Sequence, residues 1–260
     1  MNDLKILGVT VTNEEKGNIL KYFFDRIKSS KEKTFVITPN PEMLVYASKH
    51  LDYKNKLNSS TIALPDGIGL FFASGMMGKS LRERITGVDF IEDLCLASKN
   101  QPLSMGFLGA GSGVAERTAE CLQSRYPWIN VVFAEEEWPS LDRLKIKDKR
   151  LKNDKGKILN PQSKFFNLPQ IDILFVAYGV PKQEEWIYEN LKKLPVKAMM
   201  GVGGSFDYIS GDVRRAPFIF RYAGFEWLFR LIVQPWRLRR QLALVEFIIL
   251  VFKENFSKTS

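Results

Sequence analysis

The feature that most constrains this chain is a rhythm. Short apolar runs, each closed by Gly, Pro, Asn or Asp, alternate with stretches whose bulky residues recur at helical spacing. TFVIT (34–38) ends in Pro39-Asn40-Pro41 and leads into EMLVYASKHL, with Asn40 suited to an N-cap and Pro41 to a first helical position. TIAL (61–64) breaks at Pro65-Asp66-Gly67 before the helical pattern IGLFFASGMM. LSMGFLGAG (103–111) runs into glycines and then VAERTAECLQSRY, and INVVFA (129–134) follows as a strand. IDILFVAYG (171–179) precedes PKQEEWIYENLKKL, and VKAMMGVGG (196–204) ends in a Gly pair. LKILGVTV reads as a first strand, Asn13 to Ile27 as a helix, and DFIEDLCLASKN as another. Strands alternating with helices imply a mostly parallel sheet with helices on both faces. The expected class is therefore α/β and Rossmann-like, with no repeat at a solenoid period.

At 260 residues, 45% hydrophobic and 26% charged, the chain is globular and can bury a sizeable core. Its formal charge of +9 favours an anionic partner. The excess is concentrated: from Arg214 onward there are nine Lys/Arg against Glu226, Glu246 and Glu254. The expected division is an α/β catalytic domain over 1–212 and a basic amphipathic appendage over 213–260. Cys95 and Cys121 lie in apolar helical patterns without C-x-x-C spacing, as reduced core residues of a cytosolic protein do. The single histidine, His50, falls near a helix end, so histidine catalysis is not expected. The N-terminus lacks a basic region followed by a long apolar core, so no signal peptide is expected there. Residues 135–164 break the rhythm, being highly charged without a clean period. They read as a solvated surface excursion or as a mobile loop near the site.

In an open α/β sheet ligands sit beyond the carboxyl ends of the strands. Every strand end here carries polar or glycine chemistry: Thr38 and Asn40, Asp66, Gly109, Gly111 and Gly113, Gln183 and Glu184, Gly203 and Gly204. Helix N-termini along that edge would present free N–H groups to phosphate, which suits a nucleotide or nucleotide sugar. Asp66, with Arg82 and Arg84 downstream, reads as a proton acceptor beside an anion holder, or as a helix cap. GAGSG followed by Glu135 resembles a dinucleotide fingerprint, but Val114 stands where its third glycine belongs. A nicotinamide-dependent oxidoreductase is thus one alternative, and a tight strand-to-helix turn another. No D-x-D pair stands at a strand end to hold a metal, so charge on a leaving diphosphate would fall to arginines and backbone amides.

The tail combines a Gly-Gly turn, Arg-Ala-Pro, Glu-Trp-Leu-Phe-Arg and Pro-Trp-Arg-Leu-Arg-Arg. FIFRYAGFEWLFRLIVQPW and LALVEFIILVF are apolar stretches interleaved with Arg and Trp. Neither reaches the ~18–20 uninterrupted apolar residues of a membrane span. This is the profile of an interfacial helix on an anionic membrane, or of a helix packed on the core or at a subunit interface in a homo-oligomer. A non-enzymatic scaffold bound to membrane through this tail is a further alternative. Nucleic acid is not an expected partner, because the basic residues interleave with long aliphatic runs and no nucleic-acid module is present.

Together with TPNPE, PDGIG, RITGVDF and GVPKQEEW, the tail resembles the WecG/TagA/CpsF family of bacterial glycosyltransferases, over roughly Thr34 to Arg240. The resemblance implies transfer of a sugar such as N-acetylmannosamine from a UDP-sugar, with inversion and without metal or cofactor. The acceptor would be an undecaprenyl-diphosphate-linked sugar at the inner membrane face, in teichoic-acid, capsule or exopolysaccharide synthesis. It implies that Asp66 is the general base and that Arg84 acts beside it. Thr38, Asn40 and Gln183 match pocket positions, Asp207 an acid near the uracil, and Arg230, Arg237 and Arg240 appendage arginines that hold the diphosphate. Gly109, in the glycine-rich turn, is a further expected substrate contact. The chain departs from the family pattern in the charged segment 135–164, in Gln234-Pro235 for Glu-Pro, and in Pro65 for alanine.

Overall fold

The computed structural model describes residues 2–138, 170–217, 219–220, 224, 226–234 and 238–257. Six parallel strands form the central sheet, in the order β4-β3-β8-β7-β5-β6. They are β3 (Thr34–Ile37), β4 (Ile62–Ala63), β5 (Ser104–Gly109), β6 (Asn130–Glu135), β7 (Ile171–Ala177) and β8 (Val196–Gly201). The mostly parallel, helix-flanked architecture expected from the rhythm is what the chain adopts.

The N-terminal stretch differs from its expected form. LKILGVTV is an antiparallel hairpin, β1 (Asp3–Ile6) and β2 (Val9–Thr12), rather than one strand. Leu7 and Gly8 take φ of 50° and 77°, the pair of positive values that a two-residue hairpin turn needs to match strand twist. Glycine at the second position supplies one of them without steric cost. The helix read through EMLVYASKHL is likewise two, α2 (Pro41–Lys49) and α3 (Leu51–Asn58), because His50 is extended at φ −129°, ψ 93°. His50 is exposed and stacks on Tyr46, with ring centroids 4.0 Å apart.

Helices cover both faces of the sheet. On one face lie α1 (Lys16–Ser29), α5 (Gly87–Ala97), α6 (Val114–Arg125) and α8 (Ser205–Ile209), whose Phe23, Phe90, Ala115 and Phe206 pack with Phe107 and Phe175 of the strands. On the other lie the hairpin, α2, α3, α4 (Ile68–Met76) and α7 (Lys182–Asn190), with Leu108, Leu174 and Val176. Phe175 faces one core while Leu174 and Val176 face the other. This two-residue alternation lets apolar strands such as β7 be buried throughout.

Beyond residue 212 come α9 (Glu226–Val233) and α10 (Leu238–Ser257). Phe247 and Val251 of α10 are fully buried in the second core. Polar contacts tie the same helix to three neighbours: Lys49 Nζ to Glu246 at 2.7 Å, the Leu7 amide to Glu254 at 3.0 Å, and Asn255 Nδ2 to the Met76 carbonyl at 3.0 Å. Its other side leaves Leu242, Val245, Ile249, Phe252 and Phe256 exposed at alternating spacings of three and four. No helix among the described residues is long and apolar enough to cross a membrane.

Candidate active site

A cleft of about 270 Å³ opens at the carboxyl ends of β3, β4, β7 and β8, where a parallel sheet places its ligands. It is lined by Thr38 and Asn40 after β3, Asp66 and Arg84 after β4, Gln183 at the start of α7, and Gly203 to Ser205 after β8. The tail closes one side with Glu226, Trp227 and Leu244. Five residues singled out in the sequence, Thr38, Asn40, Asp66, Arg84 and Gln183, thus meet in one cavity although 145 positions of sequence separate the outermost two.

Local structure fixes what each can offer. The Asn40 Oδ1 accepts the Met43 amide at 3.0 Å and caps α2, which leaves its NH₂ group for a ligand. The Thr38 hydroxyl donates to the Gly201 carbonyl at 3.2 Å, which leaves its oxygen lone pairs as acceptors. Asp66 is half-buried, and its amide donates to the Pro39 carbonyl at 3.0 Å. The capping position of α4 belongs to its neighbour Gly67, at φ 92°, a conformation that side chains resist. The alternative of Asp66 as the N-cap residue therefore gives way to a side chain on the cleft wall.

The basic pair separates. Arg84 lines the cleft, whereas Arg82 is exposed and takes no part in the lining, its side chain 4.0 Å from Glu15 and its amide held by Asn13. Between cleft and tail runs an ionic chain. Thr86 caps α5 by accepting the Asp89 amide at 3.2 Å, and its hydroxyl donates to Asp89 Oδ2 at 2.7 Å. Arg215 donates to Asp89 Oδ1 at 2.6 Å, with its Nε 3.7 Å from Glu226. Burial opposes the Arg215 charge, but Asp89, together with Glu226 and Glu92, outweighs it and raises the pKa.

Behind the cleft wall stands a second carboxyl, Glu184. It is fully buried, and desolvation pushes it up to about 7 against the hydrogen bonds from Gln183 and Tyr53. Gln183 itself donates from Nε2 to Glu184 at 2.6 Å and accepts the Gly203 amide on Oε1 at 2.9 Å.

Other residues fall elsewhere. Gly109 borders a separate shallow cleft with Ala110, Gly111, Glu136, Glu137 and Tyr178, at the ends of β5 to β7. Asp207 sits half-buried on α8, next to Tyr208, which lines the main cleft while Asp207 does not. Arg230 lies on α9 and Arg240 on α10, with side-chain positions outside the described residues, as is Arg237 entirely. Most of segment 135–164 also lies outside them. Among the described residues, no three His, Cys, Asp or Glu cluster as metal ligands would. Cleft residues that the sequence reading passed over include Glu42, Tyr208 and Trp227. Glu42 stood legibly beside the Asn-Pro cap, whereas Tyr208 and Trp227 look like ordinary amphipathic helix residues.

The model described as "Glycosyl transferase WecG/TagA/CpsF family" matches residues 4–260. This chain belongs to that family. Among curated proteins it is similar to an N-acetylglucosaminyldiphosphoundecaprenol N-acetyl-beta-D-mannosaminyltransferase of Bacillus subtilis (strain 168), at 30% identity over 97% of this chain and 92% of the relative. A protein of the same name from Bacillus spizizenii is 33% identical over 85% of this chain and 79% of its own length. One from Staphylococcus aureus (strain MRSA252) is 31% identical over 90% and 86%. The chain is thus a WecG/TagA/CpsF glycosyltransferase, and the glycine-rich turn after β5 serves that fold rather than a nicotinamide enzyme. The cleft holding Asp66 and Arg84 is the family member's candidate active site.

Proposed function

We propose that this glycosyltransferase moves N-acetylmannosamine, or a closely related sugar, from a UDP-sugar to an undecaprenyl-diphosphate-linked acceptor sugar, with inversion and without metal or cofactor. The observation that carries the reading is the convergence of Asp66 and Arg84 with Thr38, Asn40 and Gln183 in one cleft of a chain whose relatives are named as N-acetyl-beta-D-mannosaminyltransferases of N-acetylglucosaminyldiphosphoundecaprenol.

In the proposed step the Asp66 carboxylate takes the proton of the acceptor hydroxyl as its oxygen attacks the anomeric carbon. The bond from that carbon to the diphosphate breaks, and UDP leaves with the electron pair. The relatives' product is β-linked by name, which from an α-linked nucleotide sugar requires a single inversion. A single displacement forms no glycosyl-enzyme, so one carboxylate suffices as base. Arg84, with the tail arginines Arg230, Arg237 and Arg240, would meet the charge growing on the diphosphate, since a guanidinium fork matches phosphate oxygens and reorganises little. Asp207 and Gly109 are assigned to the nucleotide end, one on α8 beside the main cleft and the other in the neighbouring cleft.

A lipid-linked acceptor fits the surroundings. Ile68 at the cleft edge and Phe72 on the same helix are 42% and 51% exposed, and Ile232 of α9 is 67% exposed. Together with the exposed stripe of α10 they suit peripheral attachment to the inner face of an anionic membrane. The test is UDP release from UDP-N-acetylmannosamine with a synthetic lipid-diphosphate-N-acetylglucosamine acceptor, in chelator. Wild type should turn over only with acceptor present, and Asp66→Asn should lose about 10²–10⁴ in rate, the scale of a general base. Turnover that persists in the variant would remove Asp66 from that role.

A further inference from the structure

Glu184 is a fully buried carboxyl that the proposed chemistry does not touch. A buried acid without a task is costly, because desolvation opposes its charge. Its surroundings show what it is tied to. Tyr53 of α3 donates its hydroxyl to Oε2 at 3.0 Å, and Gln183 donates Nε2 to Oε1 at 2.6 Å. The other end of the Gln183 amide accepts the Gly203 N–H at 2.9 Å. A line of hydrogen bonds therefore runs from α3, through two adjacent residues of α7, to the backbone after β8. Space for it is made by Gly201, where a Cβ would come within 2.9 Å of Gln183 Nε2 and 3.1 Å of Glu184 Oε1.

The line has a direction. A backbone N–H can only donate, so Gly203 requires the oxygen of Gln183, and the amide nitrogen must then face Glu184. A carboxylate there can only accept, so both ends demand the same orientation of an amide that could otherwise flip. Gln183, Gly203 and Gly204 all line the cleft, whereas Glu184 and Tyr53 do not.

We propose that Glu184 is a positioning residue: by fixing the Gln183 amide from behind, it sets the Gln183 and Gly203 wall of the cleft for the donor substrate. This deepens the glycosyltransferase reading and rests on it for the identity of that substrate. The titratable groups acting on Glu184 are Tyr53 of α3, with Tyr46 of α2 edge-on behind it at 5.0 Å, and Glu185 beside it on α7. Burial holds the carboxyl at about 7, so its charge, and the strength of the bond to Gln183, change near neutrality.

Two variants separate positioning from mere packing. Glu184→Gln can accept from Gln183 and donate to the Tyr53 oxygen, so it preserves the line without the charge. Glu184→Met fills similar space and offers no acceptor. In ¹⁵N-glycine-labelled protein the Gly203 amide resonance should titrate with a midpoint near 7 in wild type and stay flat in Glu184→Gln. Affinity for UDP-N-acetylmannosamine, read by calorimetry, should fall at least about tenfold in Glu184→Met, the scale of one lost charge-assisted hydrogen bond. Glu184→Gln should restore it to within about threefold, the size of a neutral substitution.

A Gly203 resonance indifferent to pH in wild type would overturn the proposal, as would a folded Glu184→Met with wild-type affinity. Should Glu184→Met fail to fold, the wild-type and Glu184→Gln titrations decide by themselves. Failure of wild type to bind the nucleotide sugar would refute the donor assignment instead, and the Gly203 titration would still judge the positioning role.

Discussion

Burial of Glu184 has a thermodynamic consequence that can be measured without any substrate. The folded chain holds this carboxyl at about 7, and an exposed glutamate in the unfolded chain titrates at its ordinary 4.5. Below the lower value both states carry the proton, and Glu184 contributes no pH dependence. Between the two values the unfolded state ionises while the folded state keeps its proton. The folded state then binds more protons, and stability must fall as pH rises. Above about 7 both states are charged and the loss is complete. At ~1.4 kcal/mol per pH unit the gap corresponds to roughly 3 kcal/mol.

Glu184→Gln isolates this contribution, because its amide can keep both partners in the same volume, accepting from Gln183 and donating to the Tyr53 oxygen, and never ionises. Every other titrating group is common to both proteins, so the difference between their stabilities belongs to residue 184. Urea unfolding of both, from about pH 4.5 to about pH 8, should show wild type losing roughly 3 kcal/mol relative to the variant, most of it before neutrality. Parallel stability curves would mean that the carboxyl is solvated in solution. A wild type that gains on the variant as pH rises would reverse the sign and refute the desolvation argument.

Two further perturbations test the scaffold. Phe175→Ala removes a fully buried ring that packs against Phe107 at 5.3 Å, and should cost about 3–5 kcal/mol in urea unfolding. Gly67→Ala meets only ordinary contact with Pro41 at 3.5 Å, so its cost is backbone strain at φ 92°, roughly 1–3 kcal/mol. Because Gly67 holds Asp66 and Ile68 at the cleft, the same variant should lose activity beyond its loss of stability. Full activity at reduced Tm would show that the turn is not needed for alignment.

The fold was legible because its elements are local. TFVIT, INVVFA and IDILFVAYG each announce a strand by composition and a stop by the residues that follow, and Asn40-Pro41 announces a helix start that the structure confirms down to the capping bond. The errors were local too. LKILGVTV is apolar on both sides of Gly8, so its two arms look like one strand, and only the turn at Leu7-Gly8 divides them. His50 divides α2 from α3 by its backbone angles alone, in a sequence whose helical spacing runs on through it.

The site was legible where strand ends supply it and obscure where tertiary packing does. Thr38, Asn40, Asp66 and Gln183 follow strands, and a parallel sheet brings such positions to one edge whatever its strand order. No comparable rule connects Arg215 to Asp89, 126 positions apart, or Tyr53 to Glu184, 131 apart. Asp89 and Tyr53 read as ordinary helix residues, and although Glu184 stands out as an acid near a strand end, nothing in the sequence names its partner, nor that of Arg215 in the stretch before the tail helices. What distinguishes them is burial by elements distant in the chain: α3 against α7 in one, the tail against α5 in the other. That division has a physical basis. Groups that touch the ligand must lie where the topology opens, which backbone order dictates. Groups that hold them in place can come from any element packed behind, and only the assembled core selects which.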